Sequence, residues 1–91
     1  MGIVRTELYN VQQNITAKTF KLLSHPGRIE IVLLLLVNER QTLGQIQEHL
    51  GLSQAATSNQ VKQLKEAELV ESMQLETSVF YSLDRKTWES I

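Results

Sequence analysis

Within the twelve residues from Thr42 to Ser53 the chain specifies a helix start, a helix stop and a second helix start. Thr42 and Gln45 stand in the T-x-x-Q arrangement of a capping box, where side chains satisfy the first free N–H groups of a helix. Leu43 to Leu50 then turn Ile46 and Leu50 to one side. Gly51 follows where a helix C-terminus favours left-handed backbone. Ser53 is a second cap, and after it Thr57, Val61 and Leu64 recur at i, i+4 and i+7. Two short helices therefore meet at the corner Gly51-Leu52-Ser53.

Helices joined in this way are the signature of a helix-turn-helix, and the flanking sequence supplies what it packs on. Leu8, Val11, Ile15, Thr19 and Leu22, with Phe20 and Leu23 beside them, mark one face of a first helix from about Val4 to Leu23. Ser24-His25-Pro26 interrupts it, with proline placed where a new helix starts. The second helix, "GRIEIVLLLLVNE", is apolar nearly all round and is expected to be the most buried element. Asn38 to Gln41 form a polar break. Beyond Leu69 the period changes to alternation. Val70–Leu75 and Val79–Leu83 each suit a strand, with Glu76-Thr77-Ser78 as the turn. Asp84 caps a last short helix carrying Trp88 and Ile91, with Trp88 read as interface packing. The reading is one domain, residues 1–91, mainly α (α+β). It has about five helices and a two-stranded β-hairpin wing in the order α-α-α-α-β-β-α, a winged helix-turn-helix.

Composition excludes several functions. The chain has no cysteine and only two histidines, His25 and His49, so thiolate metal sites and disulfides are ruled out and zinc has few ligands. No paired carboxylates, nucleophile–histidine set or glycine-rich phosphate loop appears, so an enzyme is not expected. The longest apolar run, Ile31 to Val37, falls far short of the roughly 20 residues that span a bilayer. The opening residues lack a secretion pattern, and the expected location is the cytoplasm.

The second helix of the pair, residues 53–67, is the candidate DNA reader. With Val61 in the core and 100° per residue, Ala55, Asn59, Lys62 and Gln63 face outward, and Ser53, Gln54 and Ser58 lie near the leading end. Small Ala55 and Ala56 allow close approach to a groove. Gln54 and Asn59 each offer the two-bond contact to adenine. Ser53, Thr42 and the two helix N-termini can donate to phosphates without formal charge. Charge itself is scarce here: between residues 41 and 83 two lysines, Lys62 and Lys65, face five glutamates. The hairpin presents Glu71, Met73, Gln74 and Glu76, which repels phosphate. Arg28, Arg40, Lys18 and Lys21 are the candidates to compensate. A shallow salt dependence of DNA binding is expected, since phosphate contacts set that slope.

The order and the residues together resemble the ArsR/SmtB family of winged-helix repressors over roughly residues 17–84. The likeness is carried by "LLSHPGRIEIVLLLL", by "LGQIQEHLGLSQAATSNQVKQLKEAELV" and by the closing "VFYSLD". The resemblance implies a homodimer built through the first and last helices, bound to double-stranded DNA at a palindromic operator, one reading helix per major groove. It carries DNA contacts onto Ser53, Gln54, Ser58, Asn59 and Lys62, although the family often has Arg-His where this chain has Asn59-Gln60. The sequence departs from the family's metal sites. Leu43 and Gly44 stand where many members have a cysteine pair, and Arg85 and Thr87 where others have aspartate and histidine. The expectation is a DNA-binding transcriptional regulator with no metal or other cofactor and an unknown effector. The alternative is a winged-helix module for protein contacts with little DNA affinity.

Overall fold

The structure, a computed structural model, describes residues 11–90, with side chains along the first helix described from residue 17. The elements in order are α1 (Val11–Leu22), α2 (Pro26–Val37), β1 (Gln41–Thr42), α3 (Leu43–Leu50), α4 (Gln54–Glu66), β2 (Val70–Leu75), β3 (Ser78–Leu83) and α5 (Arg85–Glu89). The expected first turns of α1 with Leu8, the side chains of Val11 and Ile15, and Ile91 lie outside the described residues. Thr19, expected to face inward, is buried.

The start of α2 follows from its local sequence. Pro26 needs no N–H partner at the first helical position, and His25 Nδ1 accepts from the Gly27 N–H at 3.2 Å as the N-cap. The expectation that α2 would be the most buried helix needs correction. Ile31, Val32 and Leu35 are buried, but Ile29, Leu33, Leu36 and Val37 are 42, 48, 65 and 84% exposed. One chain offers a single layer for α2 to pack on, so an all-round apolar helix covers one side and leaves a stripe at i, i+4, i+7, i+8.

The core joins that buried side of α2 to Ile46 of α3, Val61 and Leu64 of α4, and Leu69 and Val70 at the start of the sheet. Each such side chain contributes about 1.5–3 kcal/mol through burial. Thr57 is fully buried among them and donates its hydroxyl to the Ser53 carbonyl at 2.9 Å, which removes the penalty of a buried polar group.

The sheet has three strands, not the two expected, in the order β1-β3-β2, all antiparallel. Gln41 pairs with Tyr81 and Thr42 with Phe80. The reason is the cap itself: an N-cap residue keeps extended backbone, here φ −78° and ψ 164° at Thr42, and so fits against a free strand edge. Between β2 and β3 the register runs from Val70↔Leu83 to Leu75↔Ser78, so Ser78 belongs to the strand and the turn is Glu76-Thr77. Two-residue connections require left-handed backbone, and Glu76 adopts it at φ 56°.

After α4 the chain reverses through Glu68 at φ 62°, with the Leu69 N–H bonded to the Leu64 carbonyl at 3.0 Å. The Leu69 carbonyl then accepts twice, from the Asp84 N–H at 3.0 Å and the Trp88 indole N–H at 2.8 Å. Asp84 Oδ1 caps α5 by accepting from the Thr87 N–H at 3.2 Å. Trp88 is thus half-buried, packed against its own chain's core.

Candidate nucleic-acid interface

The corner between α3 and α4 is built by three local devices. Thr42 Oγ1 accepts from the Gln45 N–H at 3.2 Å, and Gln45 Oε1 accepts from the Thr42 N–H at 2.9 Å, which completes the capping box. Gly51 closes α3 at φ 69° and ψ 24°, donating its N–H to the Gln47 carbonyl at 2.9 Å. A Cβ at Gly51 would touch nothing, so the glycine is there for its backbone angle alone. Ser53 Oγ accepts from the Ala56 N–H at 3.1 Å and starts α4.

Burial then sorts the faces of α4. Thr57, Val61 and Leu64 are buried; Gln54, Ala55, Ser58, Asn59 and Lys62 are exposed, as is Ser53 at the leading end. These six share one outward surface, since i, i+3, i+4 and i+7 neighbours lie on one side of a helix. Gln63, expected outward, is half-buried because it continues the flank of half-buried Ala56 and Gln60 at i, i+4 and i+7. Thr42 is not brought onto this surface. It lies half-buried at the start of α3, its backbone in β1 and its hydroxyl oxygen engaged by the cap.

The surface carries little charge of its own. Lys62 lies 3.9 Å from Glu66, both well exposed, and such a pair is worth at most about 1 kcal/mol. Of the four compensating cations, Arg40 stacks over the Phe80 ring with its guanidinium carbon 5.4 Å from the centroid. Lys18 and Lys21 are exposed on α1. Arg28 is half-buried against α4 and bonds Gln60, a residue that sequence reading noted only as a departure from the family pattern. A polar residue flanked by Asn59 and buried Val61 was the available signal. Glu71, Met73, Gln74 and Glu76 are exposed on the hairpin, as expected.

No group of three or more His, Cys, Asp and Glu side chains converges among the described residues. His25 is the α2 cap, and His49 Nε2 lies 3.3 Å from Glu30 Oε2 at the surface. A groove of about 620 Å³ runs between α2, the hairpin and α5, floored by Val32, Leu35, Leu36, Met73, Leu83 and Trp88, with no residue of α3 or α4 in its walls. No described helix is long and apolar enough to cross a membrane.

A capped helix pair with a polar outward face, followed by an antiparallel hairpin, defines a winged helix-turn-helix protein. The family model described as "Bacterial regulatory protein, arsR family" matches residues 25–72, more than half of the chain, and the chain belongs to that family. It is a family of regulators and not of enzymes. The biofilm growth-associated repressor of Xylella fastidiosa is 33% identical over 70 residues, 77% of this chain but 60% of that protein, so the match spans less than two thirds of the relative. The crystal structure of the transcriptional repressor BigR from Xylella fastidiosa superimposes with TM-score 0.75 at 28% identity, covering 94% of this chain and 88% of that one. ZitR of Lactococcus lactis, determined in complex with DNA, gives TM-score 0.62 at 29% identity, covering 71% of this chain and 46% of that one.

Proposed function

We propose that the protein is a dimeric DNA-binding transcriptional regulator, of the repressor type, that reads a palindromic operator with residues 53–67. The observation that carries this reading is the exposed face of α4, where Gln54, Ser58 and Asn59 stand together behind the Ser53 cap. Amide side chains identify bases without charge, and small Ala55 lets the backbone come close. The DNA complex of ZitR and the repressor named among the relatives support the same reading. Ser53 contributes a phosphate contact at the start of α4, and Lys62 adds one cation. The dimer forms through the first and last helices, and the exposed stripe on α2 with Phe20, 68% exposed, adds apolar surface for a second copy to cover. Leu43, Gly44, Arg85 and Thr87 offer neither of the usual family metal sites, so the regulator responds to something other than metal at those positions.

The test is binding to a duplex selected by the protein from a random pool, compared with a shuffled duplex of equal length. Asn59→Ala and Gln54→Ala should each weaken the selected duplex by about 1–3 kcal/mol, roughly 5- to 150-fold, and leave the shuffled duplex unchanged. Equal losses on both duplexes would show that these side chains do not read bases. A second reading, a winged helix turned to protein contacts, draws on the acidic hairpin with Glu71 and Glu76 exposed. It takes over if the folded protein selects no duplex even at low salt.

A further inference from the structure

Arg28 stands where a cation is unfavourable. It lies in the first turn of α2, at the positive end of the helix dipole, and no acidic residue shares that turn. The side chain is half-buried, and among the described residues its charge lies within ion-pair distance of no carboxylate.

Its hydrogen bonds account for the position. Leu22 ends α1, and its carbonyl would be bonded in a continuing helix by the N–H of residue 26, which is proline and has none. Arg28 Nη1 supplies that donor at 3.3 Å. Its Nε–H donates to Gln60 Oε1 at 2.9 Å, in the middle of α4. Of the two amide heavy atoms only Gln60 Oε1 can accept from that Nε–H, which sets the orientation of the amide. One planar guanidinium thereby joins the end of α1, the start of α2 and the centre of α4.

We propose that Arg28 is a positioning residue for DNA reading, and that its clasp on Gln60 sets the rotation of α4 about its own axis. The inference rests on α4 being the reader. Gln60 sits on the flank of that helix beside Asn59. A side-chain tip lies about 5–6 Å from a helix axis, so a turn of about 10° carries it by about 1 Å. Two-bond contacts to a base edge do not survive such an error. Because the other arm of the guanidinium holds α1, the same clasp refers the reading face to the helix through which the two copies join.

The experiment measures anisotropy on the selected and shuffled duplexes at three salt concentrations, for Gln60→Met, Arg28→Lys and the double variant. Lysine keeps the charge but lacks the planar fork that makes both bonds. Each single variant should lose about tenfold on the selected duplex, with no loss on the shuffled duplex and no change in salt slope. The double variant should lose no more than the worse single one. If Arg28 instead grips phosphate, Gln60→Met and the charge-keeping Arg28→Lys both leave the two duplexes bound as before; that result overturns the clasp. Should Arg28→Lys fail to fold, Gln60→Met decides alone, together with the ¹⁵N spectrum of the wild type. The Arg28 Nε–H should exchange slowly in the wild type and quickly in Gln60→Met, and free exchange in the wild type would sink the proposal. Asn59→Ala serves as the control: full binding by that variant removes α4 as the reader, whatever Arg28 does.

Discussion

α2 and α4 differ by one residue in length and meet solvent in opposite ways. α4 carries one apolar stripe, buries it, and turns polar side chains outward. α2 is apolar on nearly every side, buries Ile31, Val32 and Leu35, and leaves Ile29, Leu33, Leu36 and Val37 in contact with water. A helix with a narrow stripe is fully explained by its own chain. A helix with surplus apolar surface points beyond that chain, because contiguous exposed patches on small proteins mark contact sites. The buried and exposed sides of α4 are therefore both accounted for by its own sequence, whereas the outer stripe of α2 is apolar and exposed among the described residues.

The sharpest way to break this contrast lies within α2 itself. Ile31→Ala should destabilise the protein by about 2–5 kcal/mol in urea unfolding, the range for emptying a closed core site. A loss below about 1 kcal/mol would show that the buried side is not the core. Leu36→Asp, on the other side, should leave the folded monomer within about 0.5 kcal/mol of the wild type. Self-association measured by sedimentation should nevertheless weaken at least roughly tenfold, about 1.4 kcal/mol; unchanged association would free the stripe from any role between copies. At the end of α4, Glu68 holds left-handed backbone at φ 62° with an exposed side chain. Left-handed conformation costs a non-glycine residue about 1–2 kcal/mol, so Glu68→Gly should stabilise the fold by about 1 kcal/mol, and a destabilised variant would mean that the carboxylate has a partner that matters more. The smallest effect belongs to Lys62→Ala. Stability should move by a few tenths of a kcal/mol, since the pair with Glu66 is exposed, while the DNA salt slope drops by about one per half-site.

What was legible in the sequence was local. The caps at Thr42, Ser53 and Asp84, the stop at Gly51 and the stripes of α3 and α4 each depend on residues within a few positions of one another, and periodicity reports such short-range geometry directly. β1 was not legible, because two residues beside a cap become a strand only when Phe80 and Tyr81 arrive from the far side of the chain. The exposed side of α2 was hidden for a related reason: an apolar residue states a preference for burial, not what covers it. Six of the seven expected contact residues share the outward surface of α4, because the helix angle is a local property. Thr42 does not, since its placement depends on the sheet. The Arg28–Gln60 bond spans 32 residues and leaves no trace in any window.

One atom has an effect on timing. The Leu69 carbonyl holds both the Asp84 N–H and the Trp88 indole N–H, so the exit from the hairpin and the last helix hang from a single oxygen at the point where α4 gives way to the sheet. The oxygen has two lone pairs, so each donor is held on its own and the indole proton is released when Trp88 lifts away. Its exchange for deuterium therefore becomes a clock for how often the C-terminal helix lets Trp88 go.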